Sequence, residues 1–211
     1  MRNLIVDIGT TAQPGIEDSQ YLSWANKRGN MTPEEAYSKA GMHPEYGMVC
    51  AISSFWVTCD GKDYDVTEAF TGTASNAEEE EHILINFSDI LDADVIICGH
   101  NVKDFVIPFL AKRFLAHGIV IPDCIIDAIC EDSYIDTMRE LACGGQSVMS
   151  LRATAWMMGI DDPRANITAP RFYQLCQEGR MDEIKERVRQ NAEVAAKVFG
   201  NCVLGNLIEI D

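Results

Sequence analysis

Arg2-Asn3-Leu4-Ile5-Val6-Asp7-Ile8-Gly9-Thr10-Thr11 opens the chain with an aliphatic run that carries one carboxylate near its end. Such a run reads as a buried strand, and Gly9-Thr10-Thr11 reads as the turn that leaves it. A second buried strand is expected at Asp94-Val-Ile-Ile-Cys98, closed by Gly99-His100-Asn101 and followed by a helix from about 103 to 117 that Gly118 ends. Between them, strand signals fill 47–59, Asp60-Gly61 is a hairpin turn, and a third strand follows near 63–71. Ile135-Asp136-Thr137 marks one more short strand end.

Helical patterns occupy the rest. From Ser75, apolar residues recur at 83, 84, 87, 90 and 91 behind four glutamates, Glu78 to Glu81. That run reads as a solvated first turn favoured by the helix dipole rather than as a metal cluster. Further helices fit 137–143, 147–158, 169–178 and 180–204. Residues 12–46 read as a long polar insertion with one helix, for which Thr32-Pro33-Glu34-Glu35 supplies the cap, the leading proline and the first-turn acids. Three antiparallel-type strands followed by β–α–β units predict an α/β fold: a mixed five-stranded sheet flanked by helices on both faces, as a single domain over 1–211.

Composition narrows the class. The 211 residues are 47% hydrophobic, which excludes disorder and fibrous folds, and no run of 18 apolar residues predicts a membrane span. The N-terminus lacks the regions of a signal peptide, so a cytoplasmic location is expected. Eight cysteines show no C-x-x-C pair or zinc spacing and read as reduced thiols, mostly in the core, with Cys124 and Cys130 the expected exposed ones in a loop-like stretch. Seventeen basic residues against 33 acidic ones give a formal charge of −16, which on its own opposes binding to phosphate. The acid is concentrated before residue 164, and residues 164–197 hold seven basic groups against five acidic ones.

Chemistry could sit where carboxylates end separate elements: Asp7, Asp136, and Glu193 on the last helix. Carboxylates converging at a sheet edge hold Mg²⁺ or Mn²⁺, and two such ions clamp the attacking and leaving oxygens of a phosphodiester. Gly99-His100-Asn101 reads either as a tight turn or as backbone N–H groups and an imidazole near a phosphate. Trp156, Met157 and Met158 share helical spacing with Leu151 and Ile160 and read as core.

Several motifs together carry a family resemblance. Leu4-Ile-Val-Asp7-Ile-Gly9-Thr10-Thr11, His43-Pro44-Glu-Tyr-Gly47, and Gly99-His100-Asn101-x-x-x-Phe105-x-x-Pro108-Phe109-Leu110-x-x-Arg113 come in one order, followed by Ile135-Asp136-Thr137-Met138 and Ser150-Leu151-Arg152. The chain resembles the DEDD 3′–5′ exonucleases of ribonuclease H-like fold, related to the proofreading domain of family B DNA polymerases. The resemblance implies metal ligation and catalysis at Asp7 and, in the best register, Glu193. It also implies nucleic-acid contacts at Thr10, Thr11, His100, Asn101, Phe105 and Arg152.

The resemblance fails at chemically decisive positions. Where the family has Asp-x-Glu, Gly9 replaces the Glu; Val106 replaces the second-motif Asp; Arg189 stands at the position of the Tyr, and Val188 at that of the alternative His. Each lost charge-assisted contact is worth roughly 1.5–3 kcal/mol, so weak or absent Mg²⁺ or Mn²⁺ binding is expected. Asp104, two residues before Val106, would point elsewhere. The first expectation is therefore a catalytically impaired exonuclease-family protein that still binds a single-stranded nucleic-acid 3′ end or a protein partner. The alternatives are an active metal-dependent exonuclease with a rearranged ligand set, and a structural or regulatory interaction protein.

Overall fold

The computed structural model describes residues 1–16, 31–164 and 169–210. Much of the insertion read at 12–46 therefore lies outside the described residues. The sheet comprises β1 (Arg2–Ala12), β2 (Gly47–Cys59), β3 (Tyr64–Thr73), β4 (Val95–Gly99) and β5 (Tyr134–Asp136), in the order β3-β2-β1-β4-β5. The β1–β2 and β2–β3 pairs are antiparallel, and β4 lies parallel to both β1 and β5. This mixed five-stranded α/β sheet has the ribonuclease H-like architecture expected from the sequence. Its hairpin is pinned by Asp60, whose Oδ1 accepts from the backbone N–H groups of Lys62 and Asp63 at 2.9 and 2.8 Å.

Period-2 alternation along β1 builds a core on each face. Leu4, Val6 and Ile8 pack under α2 (Ala77–Ser88), α3 (Ile107–Ala116) and α4 (Asp123–Cys130). Ile5 points the other way, with Phe55 and Val57, to Ala192, Ala195 and Phe199 of α8 (Met181–Leu204). The remaining helices are α1 (Pro33–Ala40), α5 (Thr137–Glu140), α6 (Leu151–Met157) and α7 (Ala169–Gln177). Among the described residues, no helix is long and apolar enough to cross a membrane.

Several expectations change. β1 does not turn at Gly9 but runs on to Ala12 through a bulge: Gly9 faces Ala51, Thr10 faces Val49, and Cys50 is the extra residue between them. The stretch read as loop-like is helix α4; it buries Cys124 and leaves Cys130 exposed. The helix read from 103 starts instead with a π-helical turn, Val102–Val106.

The four-glutamate run is not uniformly solvated. Glu78, Glu79 and Glu81 are exposed, but Glu80 is 0% exposed. Its carboxylate accepts from Arg113 Nε and Nη2 at 2.9 and 2.7 Å, from His117 Nε2 at 2.9 Å and from the Val49 N–H at 2.7 Å. Helical spacing from the acid-rich turn carried no sign of this, because Arg113 and His117 lie more than thirty residues away.

Candidate functional site

Asp7 leaves β1 on the face covered by the first half of α8, and the residue that meets it there is Asn191. The Asn191 Nδ2 donates to Asp7 Oδ2 at 3.0 Å, while its Oδ1 accepts from Arg164 at 2.8 Å and from Arg187. Arg164 is itself held by Asp162 at 2.5 Å through both Nε and Nη2. Arg152 reaches the same Asp162 at 3.4 Å from a half-exposed position. Burial pushes the Asp7 carboxyl up to about 6, against the opposing pull of the Asn191 hydrogen bond and the Arg187 and Arg164 charges. Burial and the neighbouring Arg164 together lower the pKa of Arg187, and its Nε finds no partner among the described residues.

Glu193 is elsewhere. Two residues on a helix stand about 200° apart around the axis, so a side chain at 193 leaves the face that carries 191. The Glu193 carboxylate pairs with Arg189 at 3.1 Å and Lys197 at 2.7 Å along the outside of α8. The register that places Asn191 opposite Asp7 puts Arg187, four residues earlier, where Arg189 was expected.

The second acidic position is closed by packing. A Cβ built on Gly9 would lie 2.8 Å from Val188 Cγ2 and 2.9 Å from Phe172 Cε1. Phe172 belongs to α7, which packs with Leu175, Ile184 and Val188 into a small apolar cluster over the bulge. Helix α1 supports α7 from behind: Ala36 and Ala40 pack with Ala12 and Ile16, and Tyr37 meets Tyr173 with ring centroids 5.6 Å apart. The helix in the insertion therefore props the helix that fills the space beside Gly9.

Other expected site residues are engaged internally. Val106 is 2% exposed and belongs to the core under α3, with Phe105 packed at its edge. Arg139 Nη2 donates to both carboxylate oxygens of Asp104 at 2.8 Å. His100 has Nδ1 3.0 Å from the Thr137 hydroxyl and Nε2 2.8 Å from the Met149 carbonyl oxygen; burial lowers its pKa. Asn101 caps nothing with its side chain; it takes a left-handed backbone (φ 68°), and its N–H donates to Asp136. Asp136, fully buried, also accepts from the N–H groups of Lys103 and Met138. It thus ties β5 to the π-helical turn rather than facing Asp7. Thr10 is half-buried and Thr11 is buried where the insertion packs on β1.

The donor set around Asp7 does not fit a pair of divalent cations. Hard cations take oxygen ligands, whereas Asp7 here receives an amide N–H and lies in the field of two guanidinium groups. Among the described residues, no three His, Cys, Asp or Glu side chains come together as ligands. What the arrangement can do chemically is hold an anion: Arg152 is half-exposed, and the carboxylate it meets, Asp162, is shared with Arg164.

No protein-family model matches the chain, and no curated protein does. Among solved structures, the family B DNA polymerase of the hyperthermophilic archaeon Pyrobaculum calidifontis is similar to it, at 17% identity and a TM-score of 0.46. The likeness covers 94% of this chain and 24% of the polymerase, so the chain spans about a quarter of that protein's length.

Sequence reasoning missed Asn191, Arg164, Arg187 and Phe172. Only Asn191 had a signal that could have found it. Starting from Ile184 and Val188, the apolar stripe of α8 continues at 191 and 195, which places Asn191 on the inward face. Trp156 is corrected in the opposite sense: it is 84% exposed and, with Met157, lies outside the core to which its spacing assigned it.

Proposed function

We propose that this chain is a DEDD exonuclease-like protein that no longer performs two-metal hydrolysis and instead binds single-stranded nucleic-acid ends, in the cytoplasm, through arginine contacts. One observation carries the reading: the space a Glu would need beside Asp7 is filled by Val188 and Phe172. Without that carboxylate, and with Asn191 donating to Asp7, nothing in the site would activate a water or stabilise a leaving oxygen through metal ions. Binding is supported by Arg152 and Arg187, which bring positive charge to the region where the related nucleases concentrate acid.

The test separates hydrolysis from binding. A 5′-labelled single-stranded DNA incubated with protein and Mn²⁺ should stay full length, and its retention by the protein should persist in EDTA. Arg152→Ala should weaken that retention at least roughly tenfold, the loss of one charge-assisted contact. Stepwise 3′ shortening that Asp7→Ala abolishes would replace this reading with an active, rearranged nuclease.

A further inference from the structure

The β1–β2 bulge re-aims a thiol. Because Cys50 is the extra residue opposite Gly9 and Thr10, it and Ala51 both leave β2 on the side of α7, while Val49 and Ile52 pack on the opposite core. On α7, Phe172 and Cys176 are four residues apart and share one face. The Phe172 ring and the Cys50 sulfur flank the same point, 2.9 and 3.5 Å from a Cβ built on Gly9, and Cys176 packs into the same cluster. Both cysteines are free thiols.

We propose that Cys50 and Cys176 are a redox-modifiable pair, in which a hydroperoxide oxidises Cys176 and Cys50 then closes a disulfide across β2 and α7. The two sulfurs differ in the way such a reaction needs. Cys176 is half-buried and within reach of solvent, and a hydrogen bond from the Cys50 thiol holds it below the ordinary thiol range. Cys50 is fully enclosed, and burial pushes its thiol well up. Cys176 is thus the attacking thiolate and Cys50 the resolving thiol.

The chemistry balances in two steps. The Cys176 thiolate attacks hydrogen peroxide; an S–O bond forms, the O–O bond breaks, and the leaving hydroxide takes up a proton to become water. The Cys50 sulfur then attacks the resulting sulfenic acid; the S–S bond forms, the S–O bond breaks, and a second water leaves with the Cys50 proton. Two thiols have lost two electrons and the peroxide has gained them. The product would fasten α7 to the sheet with Phe172 seated beside Gly9.

Peptide mass mapping of the full chain after brief hydrogen peroxide treatment and alkylation tests this. The expected result is one linked peptide pair, Cys50 with Cys176, lighter by two hydrogens, with Cys130 and Cys143 alkylated. The thermal midpoint of the oxidised protein should rise and return to its starting value with dithiothreitol. Cys176→Ser should lose that rise and Cys130→Ser should keep it. In Cys50→Ala, a dione probe should trap the sulfenic acid on Cys176. A disulfide through Cys130 or Cys143 instead, or a Cys176 that oxidises no faster than those exposed thiols, would overturn the proposal. Thiol mapping does not depend on whether the chain binds or cleaves nucleic acid, so either reading can fail alone.

Discussion

At Asp7 the loss of solvation outweighs the attraction of two guanidinium groups, which leaves the carboxyl titrating near 6 instead of its ordinary 3.8. Between those values the folded protein binds more protons than the unfolded chain, so stability falls as pH rises through that window. The ionised form costs up to about 3 kcal/mol of stability above it. Asp7→Asn should therefore stabilise the protein at pH 8 and give no gain near pH 4, as read by denaturant unfolding at each pH. Gly9→Glu should have the opposite effect. Its side chain meets Val188 and Phe172 at once, and overpacking together with a buried carboxylate should cost at least about 3 kcal/mol. At this scale the sequence told which acids were missing but not what had replaced them. Gly9 and Val106 could be read against a motif, whereas Asn191, Arg164 and Arg187 gather around Asp7 only in three dimensions.

Among the elements, α7 and α1 decide what happens at the inherited edge of the sheet. The cap of α1 was legible in Thr32-Pro33-Glu34-Glu35, and the structure adds a reciprocal capping box: the Thr32 hydroxyl accepts from the Glu35 N–H at 3.2 Å, and the Glu35 carboxylate accepts from the Thr32 N–H at 2.8 Å. Its purpose was not, because the contacts of Tyr37 and Tyr173 join segments more than a hundred residues apart. Leu175 is 0% exposed beneath α7, so Leu175→Ala should cost about 3 kcal/mol in urea unfolding. Trimming the plug should also relieve the crowded site. In a Phe172→Ala background, Gly9→Glu should cost less than in the native chain by about 1 kcal/mol or more, measured as a double-mutant cycle. Additive costs would mean that Phe172 does not hold that space. The strands were easier to read: β2 was placed residue for residue, since its apolar run is bounded by Gly47 and the Asp60-Gly61 turn. The bulge that β2 makes at Cys50, opposite Gly9 and Thr10, was invisible, because a bulge changes which face a residue takes without changing the composition of the run.

Over the whole molecule, the −16 charge coexists with the group of Arg152, Arg164 and Arg187 beside Asp7 and Asp162. Retention of single-stranded DNA should accordingly fall steeply with added salt, and the slope should shrink by about one in Arg152→Ala. A slope unchanged by that variant would place the contact elsewhere on the surface. A buried carboxylate of another kind sits on the opposite side of the sheet. Glu80 holds Arg113 and His117, and Arg113 Nη1 donates to the Pro44 carbonyl at 2.9 Å, so the end of the insertion, the start of β2, α2 and α3 all converge on one acid. Removing Arg113 would leave Glu80 buried with an uncompensated charge, a loss of about 3–5 kcal/mol expected for Arg113→Met. The same convergence sets how the molecule opens. The Val49 amide can exchange its hydrogen for deuterium only when Glu80 lets go, and Glu80 cannot let go without freeing α2, α3 and the segment around Pro44 together. Those regions should share one opening free energy, so that Val49 exchanges as slowly as the innermost strand amides although its own strand has only just begun.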